Sequence, residues 1–328
     1  MKNISLRIII LFSAIFLLLA ACQANEPAAD GVMNVRLPMG FVADPQYAPF
    51  YVAQERGYFA EAGFAVAFDY GFETDGVALV GANDLPFAIV SGEQVLLARA
   101  QKVPVVYVME WFQKFPIAVV SMAEANIVTP EDLNGRSVGL PGFFGASYVG
   151  YLGLLVASGM QPEDVNANDI GFNQMESLLS DQSEAVVGYA NNEPVQLAGR
   201  GEAVNVIQVS DYIDMVANGI ITNETTIAEN PEMVERFVGA ALRGLADTLA
   251  DPDEAFTISK NFVEGLEDGR KSVLEASLPL WQAETLGLSE IISWQNTQDV
   301  LLDANLLDAP LPDLTAVFSN KFVLANQQ

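Results

Sequence analysis

Seven aromatic residues stand at or just beyond the ends of short apolar runs: Tyr47, Trp111, Phe112, Phe143, Phe144, Tyr148 and Tyr189. Rings gathered there can stack on a flat heteroaromatic molecule, each offset pair contributing about 0.5–1.5 kcal/mol beyond area burial. Any one of them could equally plug a core, because aromatic residues are commonly buried. As a set they point to the lining of a cleft. Polar residues accompany them in five stretches: Asp44-Pro45-Gln46-Tyr47, Ser91-Gly92-Glu93, Glu110-Trp111-Phe112-Gln113, Pro141 to Tyr148, and Tyr189-Ala190-Asn191-Asn192-Glu193. The candidate ligand contacts are therefore Asp44, Tyr47, Ser91, Glu93, Trp111, Phe112, Phe143, Phe144, Tyr148, Tyr189, Asn192 and Glu193. Glu193 is the main charged candidate, since a hydrogen bond to a charged group is worth about 1.5–3 kcal/mol. Its competing role is a first-turn helix residue favoured by the helix dipole. Glu73 and Asp75 are weaker candidates of the same kind, as Glu93 is.

The Gly142 to Gly145 turn would expose backbone N–H groups at a helix start, an arrangement suited to anions. It carries two phenylalanines, however, and the nearby cation, Arg136, sits at the far end of the preceding strand. An aromatic and amide surface fits a neutral ring system better; the alternative is an ordinary strand-to-helix turn. The chain contains no histidine. Ser-His-Asp and Cys-His catalysis and His-ligated metal sites are thereby removed. Carboxylate or lysine chemistry stays open, but no catalytic residue, metal or cofactor is nominated. The formal charge of −27 argues against nucleic acid and anionic lipid as partners.

These loops need strands and helices to hold them. Apolar runs at Val35 to Phe41, Phe64 to Tyr70, Phe87 to Val90 and Val103 to Met109 alternate with helical patterns at Ala48 to Arg56, Asp75 to Gly81 and Glu93 to Gln101. Beyond a strand at Phe115 to Ser121, Thr129 reads as a helix N-cap followed by Pro130. A second set follows: strands at Ser137 to Leu140, Asp169 to Phe172 and Ala185 to Tyr189, with helices at Ala146 to Ser158, Met175 to Leu179 and Glu193 to Gly199. Such units imply mostly parallel sheets flanked by helices. From about Ile220 the pattern becomes helical without strands: Pro231 to Ala250, Pro252 to Glu264, Ser272 to Leu286 and Thr297 to Ala304. This tail is expected to return to the first domain.

The start of the chain reads as an export signal. Lys2 and Arg7 precede an apolar run from Ile8 to Leu19, and Leu19-Ala20-Ala21-Cys22 ends it. The run is short for a membrane span, which takes about 20 residues. Cys22, the only cysteine, resembles the lipidation site of a bacterial lipoprotein and leaves no disulfide to form. Residues 1–21 are then a signal peptide and 22–33 a lipid-anchored linker, flexible by composition.

The text GFVADPQYAPFYVAQERGYFAEAGFAVAF at Gly40 to Phe68 resembles the opening of solute-binding proteins that serve ABC importers. Their family takes up the thiamine pyrimidine precursor, aliphatic sulfonates, taurine, nitrate and, in some branches, riboflavin. TPEDLNGRSVG at Thr129 to Gly139 and NETTIAENP at Asn223 to Pro231 are similar to that family too. The resemblance implies the two-lobed periplasmic-binding-protein fold (type II), an α/β fold with the ligand held between hinged lobes. Lobe 1 would comprise 34–115 and 220–328, and lobe 2 residues 116–219. It also implies an ABC permease as partner, an extracytoplasmic location and a monomer. Pyrimidine-precursor binders resemble this chain in placing a glutamate shortly after a Tyr, as Glu193 follows Tyr189. The runs Asp69 to Glu73, Ser91 to Gln101 and Gly139 to Tyr148 resemble the flavin-binding branch more closely. Riboflavin is thus the expected ligand, with a precursor of the formylaminopyrimidine type as the alternative and a sulfonate or nitrate-type anion after it.

Overall fold

The computed structural model describes residues 32–327. The expected signal peptide, Cys22 and most of the linker lie outside them. β1 (Met33–Pro38) pairs in parallel with β2 (Phe64–Asp69), Met33 opposite Phe64 and Pro38 opposite Asp69. Between them runs α1 (Ala48–Glu55), with Pro49 in its first turn, where a missing N–H costs nothing. α2 (Glu73–Gly81), β3 (Ala88–Ser91), α3 (Gly92–Ala100) and β4 (Val105–Glu110) complete the first unit. The chain then crosses to β5 (Ile117–Met122), β6 (Ser137–Leu140), α4 (Gly145–Ala157), β7 (Asn166–Asp169), α5 (Gln174–Leu179), β8 (Ala185–Tyr189), α6 (Glu193–Gly199) and β9 (Val204–Gln208). It returns as β10 (Asn218–Asn223), followed by α7 (Pro231–Ala250), α8 (Pro252–Ser259), α9 (Lys271–Trp281) and α10 (Ile291–Asp303).

β10 lies between β3 and β4, antiparallel to both. The second sheet has the order β7-β6-β8-β5-β9, with β6 parallel to β7 and β8, and β5 antiparallel to β8 and β9. The first lobe thus holds a parallel pair, β1-β2, and a separate three-stranded sheet in which β10 runs against β3 and β4; the second holds a five-stranded sheet in which β5 is the reversed strand. The reversed strand is in both cases the first after a crossing. It enters the sheet from the cleft edge, where the other strands end, and so must run backwards.

β5 shows why the second sheet is covered on both sides. Ile117 and Val119 face the main core, while Ala118 and Val120 face a smaller cluster with Met175, Leu178, Val186 and Leu197. That alternation is the two-residue period of a strand. The returning α7 packs on α1 so closely that a Cβ at Gly244 would stand 2.1 Å from the Pro49 carbonyl oxygen. Its Phe237 stacks on Phe87 with centroids 3.9 Å apart. Thr129 is the N-cap, as expected, of a short 3-10 turn that starts at Pro130, and Asp132 completes the cap reciprocally.

Several element boundaries differ from the sequence reading. β7 precedes the Asp169 to Phe172 position because it is a polar edge strand, Asn-Ala-Asn-Asp, with no apolar pattern to mark it. β9 and β10 carry no helical period, and β10 interrupts what read as the start of an all-helical tail. α9 ends at Trp281 instead of continuing to Leu286, α8 ends at Ser259, and α10 begins six residues before Thr297. Among the described residues no helix is long and apolar enough to cross a membrane.

Candidate ligand-binding site

The chain segments beyond β1, β4, β6, β7 and β8 converge on a cavity of about 600 Å³ between the two sheets. Seven of the nominated residues line it: Tyr47, Trp111, Phe112, Phe144, Tyr189, Asn192 and Glu193. Tyr47, Trp111 and Phe112 are buried, with centroids 5.2 Å apart for Tyr47–Trp111 and 4.6 Å for Trp111–Phe112. Phe112 meets Tyr189 of the other lobe edge-on at 6.4 Å. A continuous aromatic wall therefore runs from one lobe to the other.

The two crossings fix that wall. The Asn218 carbonyl, where the chain re-enters the first sheet, accepts from the backbone N–H groups of both Trp111 and Phe112, at 3.0 and 3.1 Å. Just beyond, the N–H groups of Gln113 and Lys114 donate to the Leu280 carbonyl at the end of α9. That carbonyl is one of the acceptors a helix C-terminus leaves without an intrahelical partner.

Glu193 sits in the first turn of α6 and turns back toward the preceding loop. Its carboxylate accepts from the Tyr189 N–H at 2.7 Å and from the Asn192 side chain at 3.2 Å. The approach depends on Gly188, where a Cβ would stand 2.4 Å from Glu193 Oε2. Burial raises the Glu193 carboxyl above its ordinary value, with these hydrogen bonds pulling the other way.

The other five nominated residues do not line the cavity. Asp44 caps the turn at Pro45 through the Gln46 N–H and forms an ion pair with Arg270. Arg270 also donates to Asn192 at 3.3 Å and so ties the first lobe to the second. Ser91 and Glu93 are buried behind the wall, where the Ser91 hydroxyl lies 2.6 Å from Glu93 Oε1. Phe143 points outward, 50% exposed, with its ring edge-on to the half-buried Tyr148 at 5.5 Å. Its neighbour Phe144 has extended backbone (φ −157°, ψ 166°), and consecutive residues in such a stretch point to opposite sides.

Further lining residues lie outside the twelve candidate contacts; among them is Glu73, one of the weaker carboxylate candidates, whereas Asp75 does not reach the lining. Tyr70 and Phe72 flank Gly71 just past β2, a strand end like those that gave the other rings. Gln46, beside Tyr47, is also in the lining. Phe172 follows β7 and meets Phe41 across the cleft at 5.9 Å. Asn218 belongs to the unread β10. Glu73 reaches the cavity because Gly40 (φ +78°) passes over it; a Cβ there would lie 2.7 Å from Glu73 Cγ. Burial raises the Glu73 carboxyl above its ordinary value. Among the described residues Glu73 and Glu193 are the charged side chains of the lining, and no lysine or arginine lines it. Among the described residues no group of His, Cys, Asp and Glu is arranged to hold a metal ion.

Such a cavity can enclose a flat, largely apolar molecule and offers carboxyl and carboxamide groups to its polar edges. Over 344 aligned residues the chain is 41% identical to the riboflavin-binding protein RibY of Chloroflexus aurantiacus, covering 97% of this chain and 98% of that one. It is 30% identical to the formylaminopyrimidine-binding protein of Halalkalibacterium halodurans, covering 92% and 94%. The periplasmic aliphatic sulphonate-binding protein of Escherichia coli has the same fold, with a TM-score of 0.73 at 12% identity over 88% of this chain and 98% of that chain. Residues 44–255 match the family described as NMT1/THI5 like, and the chain belongs to that family, built on the two-lobed solute-binding fold.

Proposed function

We propose that this protein captures riboflavin outside the cytoplasmic membrane and delivers it to an ABC permease. The observation that carries the reading is the lining of the cavity: nine aromatic side chains, two carboxylates and no basic residue. An anionic sulfonate or nitrate would meet acids there and no cation. A neutral planar ligand meets ring faces, each stacked pair contributing about 0.5–1.5 kcal/mol. The volume of about 600 Å³ falls within the range of small-molecule sites and exceeds the need of a single ring. The 41% identity to RibY supports the same ligand. The second reading, a formylaminopyrimidine, draws on Glu193 beside Asn192 and Tyr189 as an acceptor for an amino group.

The nominated lining residues Tyr47, Trp111, Phe112, Phe144, Tyr189, Asn192 and Glu193 are the proposed contacts. The protein acts by binding and release, without turnover. The chain's lack of histidine denies it any histidine-based chemistry. Cys22 is the proposed lipid attachment point, and the working unit is a monomer on its tether. Titration calorimetry of the purified mature protein with riboflavin, formylaminopyrimidine and an alkanesulfonate tests the ligand. Riboflavin is expected to bind at least about tenfold tighter than either, a gap of about 1.4 kcal/mol. Tighter binding of the pyrimidine or the sulfonate overturns the reading.

A further inference from the structure

The Ser91 hydroxyl lies 2.5 Å from Glu73 Oε2 and 2.6 Å from Glu93 Oε1. Both separations are hydrogen bonds, yet a hydroxyl carries one proton and can donate to one of them. The other contact needs a proton from a carboxyl. The surroundings decide which one. Glu73 is well supplied: Oε2 accepts from the Ser91 N–H at 3.1 Å, and Oε1 accepts from the Asn218 carboxamide at 3.0 Å. Glu93 is 1% exposed; apart from Ser91 its Oε1 accepts only a long hydrogen bond from the Gln94 carboxamide at 3.2 Å, and its Oε2 is buried with no hydrogen-bond partner among the described residues. A bare, unpartnered carboxylate oxygen in the interior is far more costly than a neutral acid's carbonyl oxygen. The proton therefore resides on Glu93, which donates to Ser91. Ser91 in turn donates to an ionised Glu73.

Glu73 lines the cavity, and one lone pair of its Oε1 remains for a guest. A second group in the same lining awaits a partner. The Gln46 side chain is 8% exposed, and its Oε1 has no partner among the described residues. Two acceptors with unfilled capacity in one lining call for a guest that donates, such as a heterocycle whose imide or lactam edge presents a ring N–H. We propose that Glu73, held ionised by a protonated Glu93 acting through Ser91, is the hydrogen-bond acceptor that selects ligands with such an imide or lactam edge. The inference rests on the riboflavin reading for its probe and adds the group that reads the polar edge. Glu93 is a positioning residue: it reaches the ligand only through Ser91 and Glu73.

The groups around the pair agree with the assignment. α3 contributes Glu93 itself and Arg99, which is paired with Glu224; β1 contributes Arg36, paired with Asp69. β4 contributes Tyr107 and Glu110, while Tyr47 and Tyr189 face the pair from the cavity side. None of these supplies an unpaired cation that would let both carboxyls ionise. Burial raises both carboxyls, so the shared proton is held through neutral pH and lost on the alkaline side.

The test compares riboflavin with its N3-methyl analogue on the wild type, E73Q and E93Q, by titration from about pH 6 to about pH 9. The wild type is expected to lose about tenfold or more on N3-methylation, because an acceptor to a charged group is left facing a methyl. E73Q should weaken riboflavin and bring the two ligands within about threefold of each other. Wild-type affinity should fall toward the alkaline end, and E93Q, which cannot release that proton, should flatten the fall. Infrared difference spectra of the ligand-free proteins should show a protonated-carboxyl stretch that E93Q lacks and E73Q keeps. Equal affinity for the two flavins on the wild type, or a wild type without that band, overturns the inference while leaving riboflavin capture standing. If neither flavin binds, riboflavin capture fails with it, and the infrared band still decides the Glu93 proton.

Discussion

Phe144 and Trp111 line the same cavity under opposite constraints. Phe144 is 58% exposed and Trp111 is 2% exposed, with Tyr47, Phe50, Phe112 and Trp281 around it. Phe144→Ala is expected to change stability by less than about 0.5 kcal/mol, as exposed substitutions do. It should weaken the ligand by about 0.5–1.5 kcal/mol, roughly a two- to tenfold rise in Kd. Trp111→Ala should cost about 3–5 kcal/mol of stability in urea melts, so a lost affinity there cannot be assigned to stacking alone. At the same scale, burial pushes Glu110 up to about 7, with the Ala217 N–H, donating at 3.2 Å, pulling down. A carboxyl whose folded value lies above its unfolded value of about 4.3 contributes stability that is full below the latter and lost as pH rises through the former. Urea midpoints should therefore decline between about pH 5 and about pH 8, and E110Q should remove part of that slope. A variant with the wild-type slope contradicts the assignment. The rings were legible because strand ends are; the fate of Asp44 was not. Its partner Arg270 is 226 residues further on, and nothing local to either residue marks the pairing.

Among the elements, the two crossings matter most. β4 leads to Trp111 and Phe112, and β10 begins at Asn218, whose carbonyl holds both of their N–H groups. One short stretch thus serves both as the crossing between the sheets and as cavity wall. Strands β1 to β6 and β8 could be read from apolar runs bounded by turn residues. β7, a polar edge, could be placed only a few residues late, and β9 and β10 could not be read at all, β10 because it is buried throughout in a Gly-containing run. Missing β10 hid Asn218 and with it the link between Tyr189 and Glu73, which the Asn218 side chain joins at 3.4 and 3.0 Å. The start of α9 adds a second tie, Arg270 to Asp44 and to Asn192. Arg270→Gln should loosen the tie between the lobes at a residue that does not line the cavity. The expected result in stopped-flow measurements is a several-fold faster dissociation with little change in association, since interface changes act mainly on off-rates. An unchanged off-rate would show that the tie does not restrain the lobes.

At the scale of the molecule, a three-stranded and a five-stranded sheet each hold one reversed strand: β10 begins at Asn218 in the cavity lining, and β5 begins opposite Tyr189, which also lines it. The resemblance at Gly40 to Phe68 and at Thr129 to Gly139 made this two-lobed plan legible, whereas composition alone gave only an acidic α/β chain. Hinged closure of such lobes shields a bound guest from water and fixes the separation of the ring faces. The central claim is that a flat heterocycle is held against these rings between the lobes. Titrating the folded protein into riboflavin while following flavin emission tests it most directly, because a flavin stacked on Trp or Tyr loses its fluorescence. The expected result is stoichiometric quenching, one flavin per chain, at micromolar concentration. Emission that stays constant across that range, with the protein folded, would contradict it.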